Sequence, residues 1–297
     1  MTRSSGILPS SSLPLTRNAS ASCGSCHSGT PGGPTVQVQL GLRVLSGSQT
    51  TAITVSATGG AAGTRGGLAA DVTAGQLIAG ANTRTSTAGN ALTHSDDRSR
   101  TWTFNYQAPA QTGPVEFYTV VNAVNGDGRT NGDTWAFHGS NPTNPVSTPV
   151  RMYVNAPGVV PIGSGCADGY GNVAVYGAPQ PPTLGNPNFS LEAIGLPPSA
   201  RVMLIIGLQK NMPSFDMGVM GAPGCFLHTD LAASVYGIST PGDASRAEGR
   251  FVIPVAIPSN PVLKGFFFRT QVGAVDASPG ARALPVVFTN GLGVTLQ

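Results

Sequence analysis

The sequence predicts an all-β protein in which an extended N-terminal arm precedes two tandem β-sandwich domains. Glycine (40) and proline (25) are abundant among its 297 residues, and only 10% of the residues are charged, whereas about 25% is usual. Such a composition favours short strands joined by many turns. Long helices need uninterrupted runs of Ala, Leu, Glu, Lys and Arg, and no window of more than about ten residues offers one with amphipathic spacing. Helix is therefore expected to be a minor component.

The chain length and the changes in composition predict three regions. Residues 1–34 are rich in Ser, Gly and Pro and too poor in apolar residues to form a core, so this arm is expected to wrap over the first domain. Residues 35–158 and 159–297 are each long enough to bury a core of their own. The turn-rich stretch 155–165, which lacks periodicity, suits a connection between the two domains.

Alternating apolar residues mark the strands. Val36, Val38, Leu40 and Leu42 alternate with polar or small residues, as a half-buried strand requires. The predicted strands of the first domain are residues 36–43, 52–57, 102–106, 115–121, 134–137 and 150–154. Those of the second domain are residues 173–176, 189–193, 201–208, 225–229, 249–256, 266–273 and 284–289. Both sets are typical of β-sandwiches.

Charge, hydropathy and cysteine content bear on the partners and the location of the protein. The net charge of +3 comes from scattered arginines rather than a basic cluster, so nucleic acid is not an expected partner. No stretch approaches the roughly 18 to 20 apolar residues that span a bilayer. Low charge and several cysteines favour an oxidising compartment. We expect a secreted, extracellular or cell-surface protein, or a periplasmic one, with its signal peptide removed and Met1 added.

The pentapeptide Cys23-Gly-Ser-Cys26-His27 is the strongest motif in the sequence. Its spacing lets two thiols add to the vinyl groups of a haem while the adjoining imidazole takes an axial position on the iron. A single, covalently bound haem c is therefore expected. Two alternatives stay open, a Cys23–Cys26 disulfide and half of a zinc site. The zinc alternative is disfavoured because Cys166 and Cys225 lie in the second domain without Cys-x-x-Cys spacing.

A haem that transfers electrons usually has a second axial ligand from the protein. His94 is the first candidate, in a polar loop before the strand at Trp102, and His138 is the second. His228 belongs to the other domain. Only Met1 precedes Met152, so a Met ligand from the first domain is not expected. These residues predict bis-His ligation by His27 and His94, which gives a lower potential than His/Met ligation.

Other groups of residues carry weaker signals. Met212, Met217, Met220, Cys225 and His228 could form a soft copper site, but packing explains the methionines better. Oxygen-bearing side chains alternate over residues 125–133 without the closing Glu of a calcium loop, so Asn-Gly and Asp-Gly turns are favoured there. No hydrolase or phosphate-binding motif is present. We expect an electron-transfer or structural protein rather than an enzyme.

The first domain resembles the reelin-like module known as the choice-of-anchor V domain of exported bacterial proteins. The resemblance is carried by the haem motif and by Gly67-Leu-Ala-Ala70, Leu92-Thr-His94, Trp102-Thr-Phe-Asn-Tyr-Gln-Ala-Pro109, Val115-Glu-Phe-Tyr118, Asn122-Ala-Val-Asn-Gly-Asp-Gly128 and Gly132-Asp133. A Thr-His step stands at the position of Thr93-His94 in that family, which favours His94 as the distal ligand. Gly66-Gly67-Leu68 departs from the usual Gly-Phe of the family.

The second domain is similar to a C-terminal module of planctomycete exported proteins. The shared motifs are Gly163-Ser-Gly-Cys166, Pro182-Thr-Leu-Gly185, Gly221-Ala-Pro-Gly-Cys225 and Thr289-Asn-Gly-Leu292. This resemblance implies a disulfide between Cys166 and Cys225. It implies no chemistry for the domain.

The sequence as a whole predicts an extracytoplasmic monohaem cytochrome that exchanges electrons with redox proteins or with neighbouring copies of itself in a homopolymer. The competing hypothesis is a non-redox structural or adhesion protein of the cell surface, in which Cys23 and Cys26 form a disulfide.

Overall fold

The computed structural model describes residues 6–27, 33–140, 146–242, 248–278 and 280–297. Its regular structure is all β, apart from short 3-10 turns, so the predicted fold class is confirmed. The strands of the described residues are, in chain order, β1 (Pro34–Leu40), β2 (Val44–Ser46), β3 (Thr50–Gly59), β4 (Gly66–Val72), β5 (Gln76–Ile78), β6 (Thr83–Thr85), β7 (Ala91–His94), β8 (Thr101–Gln107), β9 (Gly113–Ala123), β10 (Thr134–Phe137), β11 (Val150–Asn155), β12 (Val159–Ile162), β13 (Val175–Gly177), β14 (Ser190–Leu196), β15 (Arg201–Gly207), β16 (Phe215–Asp216), β17 (Phe226–Leu227), β18 (Ala233–Ile238), β19 (Gly249–Pro254), β20 (Phe267–Val275), β21 (Val286–Phe288) and β22 (Gly291–Thr295).

The chain forms two compact units. Unit 1 consists of Met1–Leu42, Ser48–Pro109 and Val115–Val150, and unit 2 consists of Arg43–Gly47, Ala110–Pro114 and Arg151–Gln297. The longest segment of unit 2 therefore begins at residue 151, whereas the sequence predicts the domain boundary between residues 158 and 159. No helix in the described part of the chain is long and apolar enough to cross a bilayer.

Unit 1 is a sandwich of two antiparallel sheets. The first sheet has the order β1-β3-β8-β5, and in the second sheet β9 pairs with β4 on one side and β10 on the other, while β7 and β6 continue from β4. Trp102, Phe104 and Tyr106 alternate along β8 and are almost fully buried. The ring centroid of Phe104 lies 6.1 Å from that of Phe117 on β9. Aromatic contacts of this kind hold the two sheets together.

The N-terminal arm covers the outer face of the second sheet. Leu13 and Leu15 pack in one apolar cluster with Val120, Trp135 and Phe137 of that sheet. Polar contacts fasten the arm as well. They include the Arg17–Asp71 ion pair, the hydrogen bond from Gly6 N to His94 O (3.0 Å) and that from Ser147 Oγ to Thr16 O (2.6 Å). The arm therefore wraps over the sandwich, as its composition predicts.

Unit 2 is a second sandwich. One sheet has the order β12-β22-β20-β15-β18, with β21 paired to β20, and the other has the order β13-β14-β19. Buried residues of both sheets form one core, which includes Tyr176, Leu191, Ile253, Val202, Leu204, Val272, Leu292 and Val294. Cys166 and Cys225 are joined in a disulfide with their Cα atoms 4.9 Å apart, inside the usual range for such bonds. The disulfide implied by the resemblance is present.

Two local predictions are wrong. The stretch 155–165 is predicted as an irregular connection, but Val159–Ile162 pairs with Gly291–Thr295 as the edge strand β12. The sequence Val-Val-Pro-Ile is compatible with an edge, where a proline costs no ladder hydrogen bond. His94 is predicted in a loop, but it ends the strand β7, opposite Thr83 of β6.

Candidate functional site

A cavity of about 510 Å³ lies between the N-terminal arm and the second sheet of unit 1. The arm contributes Leu13, Leu15 and residues of the Cys23-Gly-Ser-Cys26-His27 pentapeptide, and the sheet contributes β4 and the end of β7. The loop between β9 and β10 lines another part of the cavity. A volume of this size is typical of sites for small molecules and cofactors. The small residues Gly66, Gly67 and Ala69 of β4 leave room for it.

The Cys23-Gly-Ser-Cys26-His27 pentapeptide forms a tight turn that lines this cavity. Cys23–Ser25 is a single 3-10 turn capped by Ser22, and the Cys23 carbonyl accepts hydrogen bonds from the N–H groups of Cys26 (3.2 Å) and His27 (2.9 Å). Gly24 lies against Trp135, where an added Cβ would come within 2.8 Å of the indole ring. A larger residue at position 24 would therefore push the motif away from the sheet.

Cys23 and Cys26 both line the cavity, and neither is in a disulfide. Cys26 is exposed, whereas Cys23 packs against the apolar cluster beneath the arm. Burial raises the pKa of the Cys23 thiol to about 12, so Cys23 is a neutral thiol at pH 7. The structure thus presents two unbonded sulfur atoms to one space.

His27 is held by a buried carboxylate. Its Nδ1 lies 2.7 Å from Oδ2 of Asp133, whose side chain is only 1% exposed. Because a carboxylate accepts hydrogen bonds, this contact places the Nδ1 proton between the two groups. The other ring nitrogen, Nε2, is then the one that can bind a metal.

His94 is anchored in the same way by the backbone. Its Nδ1 lies 3.0 Å from the carbonyl oxygen of Leu68 on β4, to which it donates when it carries the proton, and 2.9 Å from the Leu68 N–H, from which it accepts in the other tautomer. Only the first tautomer leaves Nε2 free to bind a metal. Burial lowers the pKa of His94, which keeps the imidazole neutral at pH 7, the form that binds metal ions. Gly67 lies close to the ring, since an added Cβ would come within 2.7 Å of His94 Cε1.

Polar groups of the cavity include one buried atom without a hydrogen bond. Oδ1 of Asn122, on β9, has no donor within reach in the described part of the chain, although Asn122 lines the cavity and is 5% exposed. A buried polar atom of this kind costs free energy unless a ligand or water satisfies it. Arg65 and Asp97 form an ion pair at 3.1 Å on the same cavity wall.

These residues fit one covalently bound haem. A porphyrin supplies four nitrogen ligands of its own, so the protein has to add only the axial ligands and the two thiols. Cys23, Cys26, His27 and His94 would supply these groups, and all four line the same cavity. A zinc site would need further protein ligands close together, and no group of three His, Cys, Asp or Glu side chains suited to a metal ion occurs within the described ranges.

His138 lies away from this cavity. It follows β10, and its Nδ1 is 2.8 Å from the carbonyl oxygen of Thr148, to which it can donate. The structure therefore brings together the first-choice residues of the sequence prediction and leaves the second choice outside. The sequence does not identify Asp133 as a partner of His27. Asp133 ends the stretch of Asn, Gly and Asp residues 125–133, for which the sequence predicts turns alone.

The Met, Cys and His residues of unit 2 that could bind copper do not form a ligand set. Cys225 is in the disulfide, Met217 is buried in the core, and Met220 is 59% exposed. His228 is held between Ser214 Oγ, 2.7 Å from its Nδ1, and the carbonyl oxygen of Ser164, 3.2 Å from its Nε2. Packing and hydrogen bonding therefore account for these residues.

We expect His228 to make unit 2 sensitive to acid. Burial lowers the pKa of His228, and the charge of Arg269 acts in the same direction. The unfolded chain therefore binds a proton at higher pH than the folded one, and stability decreases as the pH falls below about 6.5. Unfolding by urea between pH 8 and pH 5 measures the effect. The variant His228→Gln should show a smaller decrease, and an identical pH dependence would contradict this role.

Comparisons with known proteins give no family. No protein-family model matches the chain, and no curated protein matches it. Among solved structures, one similar to this chain is the human F-spondin reeler domain (fragment 1), with 16% identity and a TM-score of 0.31 over 43% of this chain and 95% of that one. Another is the Reelin-N domain of F-spondin, with 14% identity and a TM-score of 0.33 over 45% of this chain and 96% of that one.

A bacterial structure is similar over a longer part of the chain. It is the adhesin InvE of Yersinia pseudotuberculosis, with 15% identity and a TM-score of 0.24, covering 90% of this chain and 60% of that one. At these identities and TM-scores the likenesses assign neither a family nor a function.

Proposed function

We propose that unit 1 carries one c-type haem and that the protein transfers electrons outside the cytoplasm. Cys23 and Cys26 would form the thioether bonds, and His27 and His94 would be the axial ligands. The observation that carries this proposal is the single cavity that Cys23, Cys26, His27 and His94 line together. The first three of these residues come from the arm and His94 comes from the end of β7, so their convergence is a property of the fold and not of the motif alone.

The haem, when bound, would supply a one-electron couple between ferric and ferrous iron. The residues of the chain do the rest. Asp133 holds the His27 ring through Nδ1 and leaves its Nε2 for coordination. The Leu68 carbonyl would do the same for His94 in the tautomer with the proton on Nδ1, whereas the Leu68 N–H favours the opposite tautomer. Leu13 and Leu15 of the arm give one side of the cavity an apolar lining. Solvent exposure is one of the features that set the potential of such a site.

The proposed location rests on the disulfide of unit 2, and the proposed partners follow from electron transfer. A disulfide such as Cys166–Cys225 persists in oxidising compartments, which favours a secreted or surface protein. Electrons would pass to and from separate redox proteins or neighbouring copies of this chain. Electron transfer to either kind of partner does not require that this protein be an enzyme.

An absorption spectrum tests the proposal. The full chain would be expressed for export together with a haem-attachment system and purified without added haem. We expect a Soret band, a pyridine haemochrome spectrum shifted by saturation of the vinyl groups, and a mass increased by one haem. A colourless protein of unmodified mass, from cells that mature another c-type cytochrome normally, would contradict the proposal.

The axial role of His94 is tested by comparing two histidine variants. We expect His94→Ala to convert a low-spin spectrum to a high-spin one, because the second strong-field ligand is lost. His138→Ala is the matched control, and it should leave the spectrum low-spin because His138 lies outside the cavity. Resonance Raman or electron paramagnetic resonance spectra distinguish the spin states. A low-spin spectrum that persists in His94→Ala would exclude His94.

The second candidate function is a structural or adhesion role at the cell surface without redox chemistry. It is favoured by unit 2, a disulfide-linked β-sandwich. The spectrum above separates the two functions. In the structural alternative the purified protein is colourless and Cys23 and Cys26 form a disulfide, which mass spectrometry after alkylation detects.

A further inference from the structure

The contact between His27 and Asp133 has features beyond those needed to orient an imidazole. The carboxylate of Asp133 is almost completely buried, yet it has no arginine or lysine partner among the described residues. Its Oδ1 accepts the N–H of Asn125 at 3.0 Å, and its Oδ2 contacts His27 Nδ1 at 2.7 Å. Both oxygen atoms are therefore engaged, and the buried carboxylate faces the imidazole directly.

The loop between β9 and β10 holds this carboxylate in place. Asn125 Oδ1 accepts the N–H of Asp127 at 3.1 Å, and Asp127 Oδ1 accepts the N–H of Arg129 at 2.8 Å. The Asn125 side-chain nitrogen also donates to Asn131 O at 3.2 Å. Side-chain turns of this type fix a loop without a regular element. The position of Asp133 is thus determined by its own loop and not by His27 alone.

We propose that Asp133 is a positioning residue that gives the His27 imidazole partial negative charge and thereby lowers the reduction potential of the iron; this inference rests on the proposed haem function. A hydrogen bond from Nδ1–H to a carboxylate makes Nε2 a stronger electron donor than one to a neutral acceptor does. A buried negative charge also favours the ferric over the ferrous state by Coulomb attraction. Both effects act in the same direction.

Asp97 provides an internal comparison for this inference. It lines the same cavity, but its side chain is 28% exposed and it is paired with Arg65. Its charge is therefore partly solvated and offset by a cation, it acts on the His94 imidazole, and no hydrogen bond joins it to His27 among the described residues. If negative charge anywhere in the cavity set the potential, the two aspartates would have similar effects. The structure predicts that they differ.

The substitution Asp133→Asn is the sharpest test because it keeps the size of the side chain and removes one acceptor. Asn has a single oxygen, whereas Asn125 N–H and His27 Nδ1–H both require one. If the oxygen stays with Asn125, the new NH2 group faces His27 Nδ1 and favours the tautomer with a proton on Nε2, which does not bind iron. If the oxygen turns to His27, the negative charge is lost and the Asn125 N–H is left unpaired.

The experiment is a potentiometric titration of the matured full chain with one-electron mediators, which supply and accept the electron. Wild type, Asp133→Asn and Asp97→Asn would be compared at the same pH and ionic strength. We expect Asp133→Asn to raise the ratio of reduced to oxidised protein at a fixed solution potential about tenfold or more. Its ferrous spectrum should also contain a high-spin component, because His27 coordinates more weakly. Asp97→Asn should shift the ratio much less.

The outcomes separate this inference from the proposed function. A wild type with a haem spectrum, together with an unchanged potential in Asp133→Asn, overturns the role of Asp133 and leaves the haem proposal standing. An equal shift in Asp97→Asn also overturns it, because general cavity charge would then explain the result. A colourless wild type contradicts both. If Asp133→Asn matures poorly, its matured fraction is titrated. Asp133→Glu, which retains the charge, should then have a potential closer to that of the wild type than Asp133→Asn has.

Discussion

The double variant Cys23→Ser/Cys26→Ser is expected to leave the exported protein without covalently bound haem. Serine oxygens do not add to the vinyl groups, so both thioether bonds are lost while the side chains keep nearly the same size. Because two thiols and two imidazoles line one cavity, any haem that remains would be held by the histidines alone. Extraction with acidified solvent should then remove all of it, whereas the wild type should retain its haem.

The two single variants serve as controls for this expectation. Cys23→Ser and Cys26→Ser should each retain one thioether bond, with a pyridine haemochrome spectrum between those of haem b and haem c. Cys23 is the more sensitive position to packing, since it contacts the apolar cluster beneath the arm whereas Cys26 is exposed. Covalent haem in the double variant would show that the pigment is attached elsewhere in the chain.

The variant Cys166→Ala/Cys225→Ala is expected to destabilise unit 2 by about 4 kcal/mol, according to the chain-entropy relation for a cross-linked loop. The two cysteines are 59 positions apart in sequence, so the bond restricts a long segment of the unfolded chain. Total stabilities of single domains are about 5 to 15 kcal/mol. The loss would therefore remove a large part of the stability of unit 2. Urea denaturation monitored by circular dichroism measures it.

The matched control for the disulfide variant is the pair Cys23 and Cys26. These residues are unbonded and belong to unit 1, so replacing them by serine should leave the transition of unit 2 unchanged. Dithiothreitol should lower the stability of the wild type but not that of Cys166→Ala/Cys225→Ala. A double alanine variant as stable as the wild type would show that the bond contributes little to folding.

The sequence predicted the strands that carry large alternating side chains. Strand β8 is an example, because Trp102, Phe104 and Tyr106 repeat with a period of two and all three are buried. Strand β4 was missed for the opposite reason, since Gly66–Val72 consists mostly of Gly and Ala, which have weak strand propensity. Those small residues are needed here because the cavity lies against them. Propensity and site requirements therefore conflict at β4.

The candidate site was predicted in part. The chemistry of Cys23, Cys26 and His27 is local and is contained in five consecutive residues. The anchoring groups could not be predicted, because Leu68 contacts His94 through backbone atoms and Asp133 contacts His27 across 106 positions of sequence. Periodicity and motif spacing describe neighbours along the chain only. Contacts between an extended arm and a distant loop depend on how the sheet between them is built.

The two tryptophans of the chain, Trp102 and Trp135, both lie in unit 1. Intrinsic tryptophan emission therefore reports on the arm-bearing sandwich alone, and unit 2 contributes only tyrosine fluorescence. Trp135 lies against Gly24 inside the Cys-x-x-Cys-His turn, so we expect its emission to depend on the position of that turn and to be quenched by a haem attached there. Tryptophan emission should therefore distinguish changes in unit 1 from melting of unit 2.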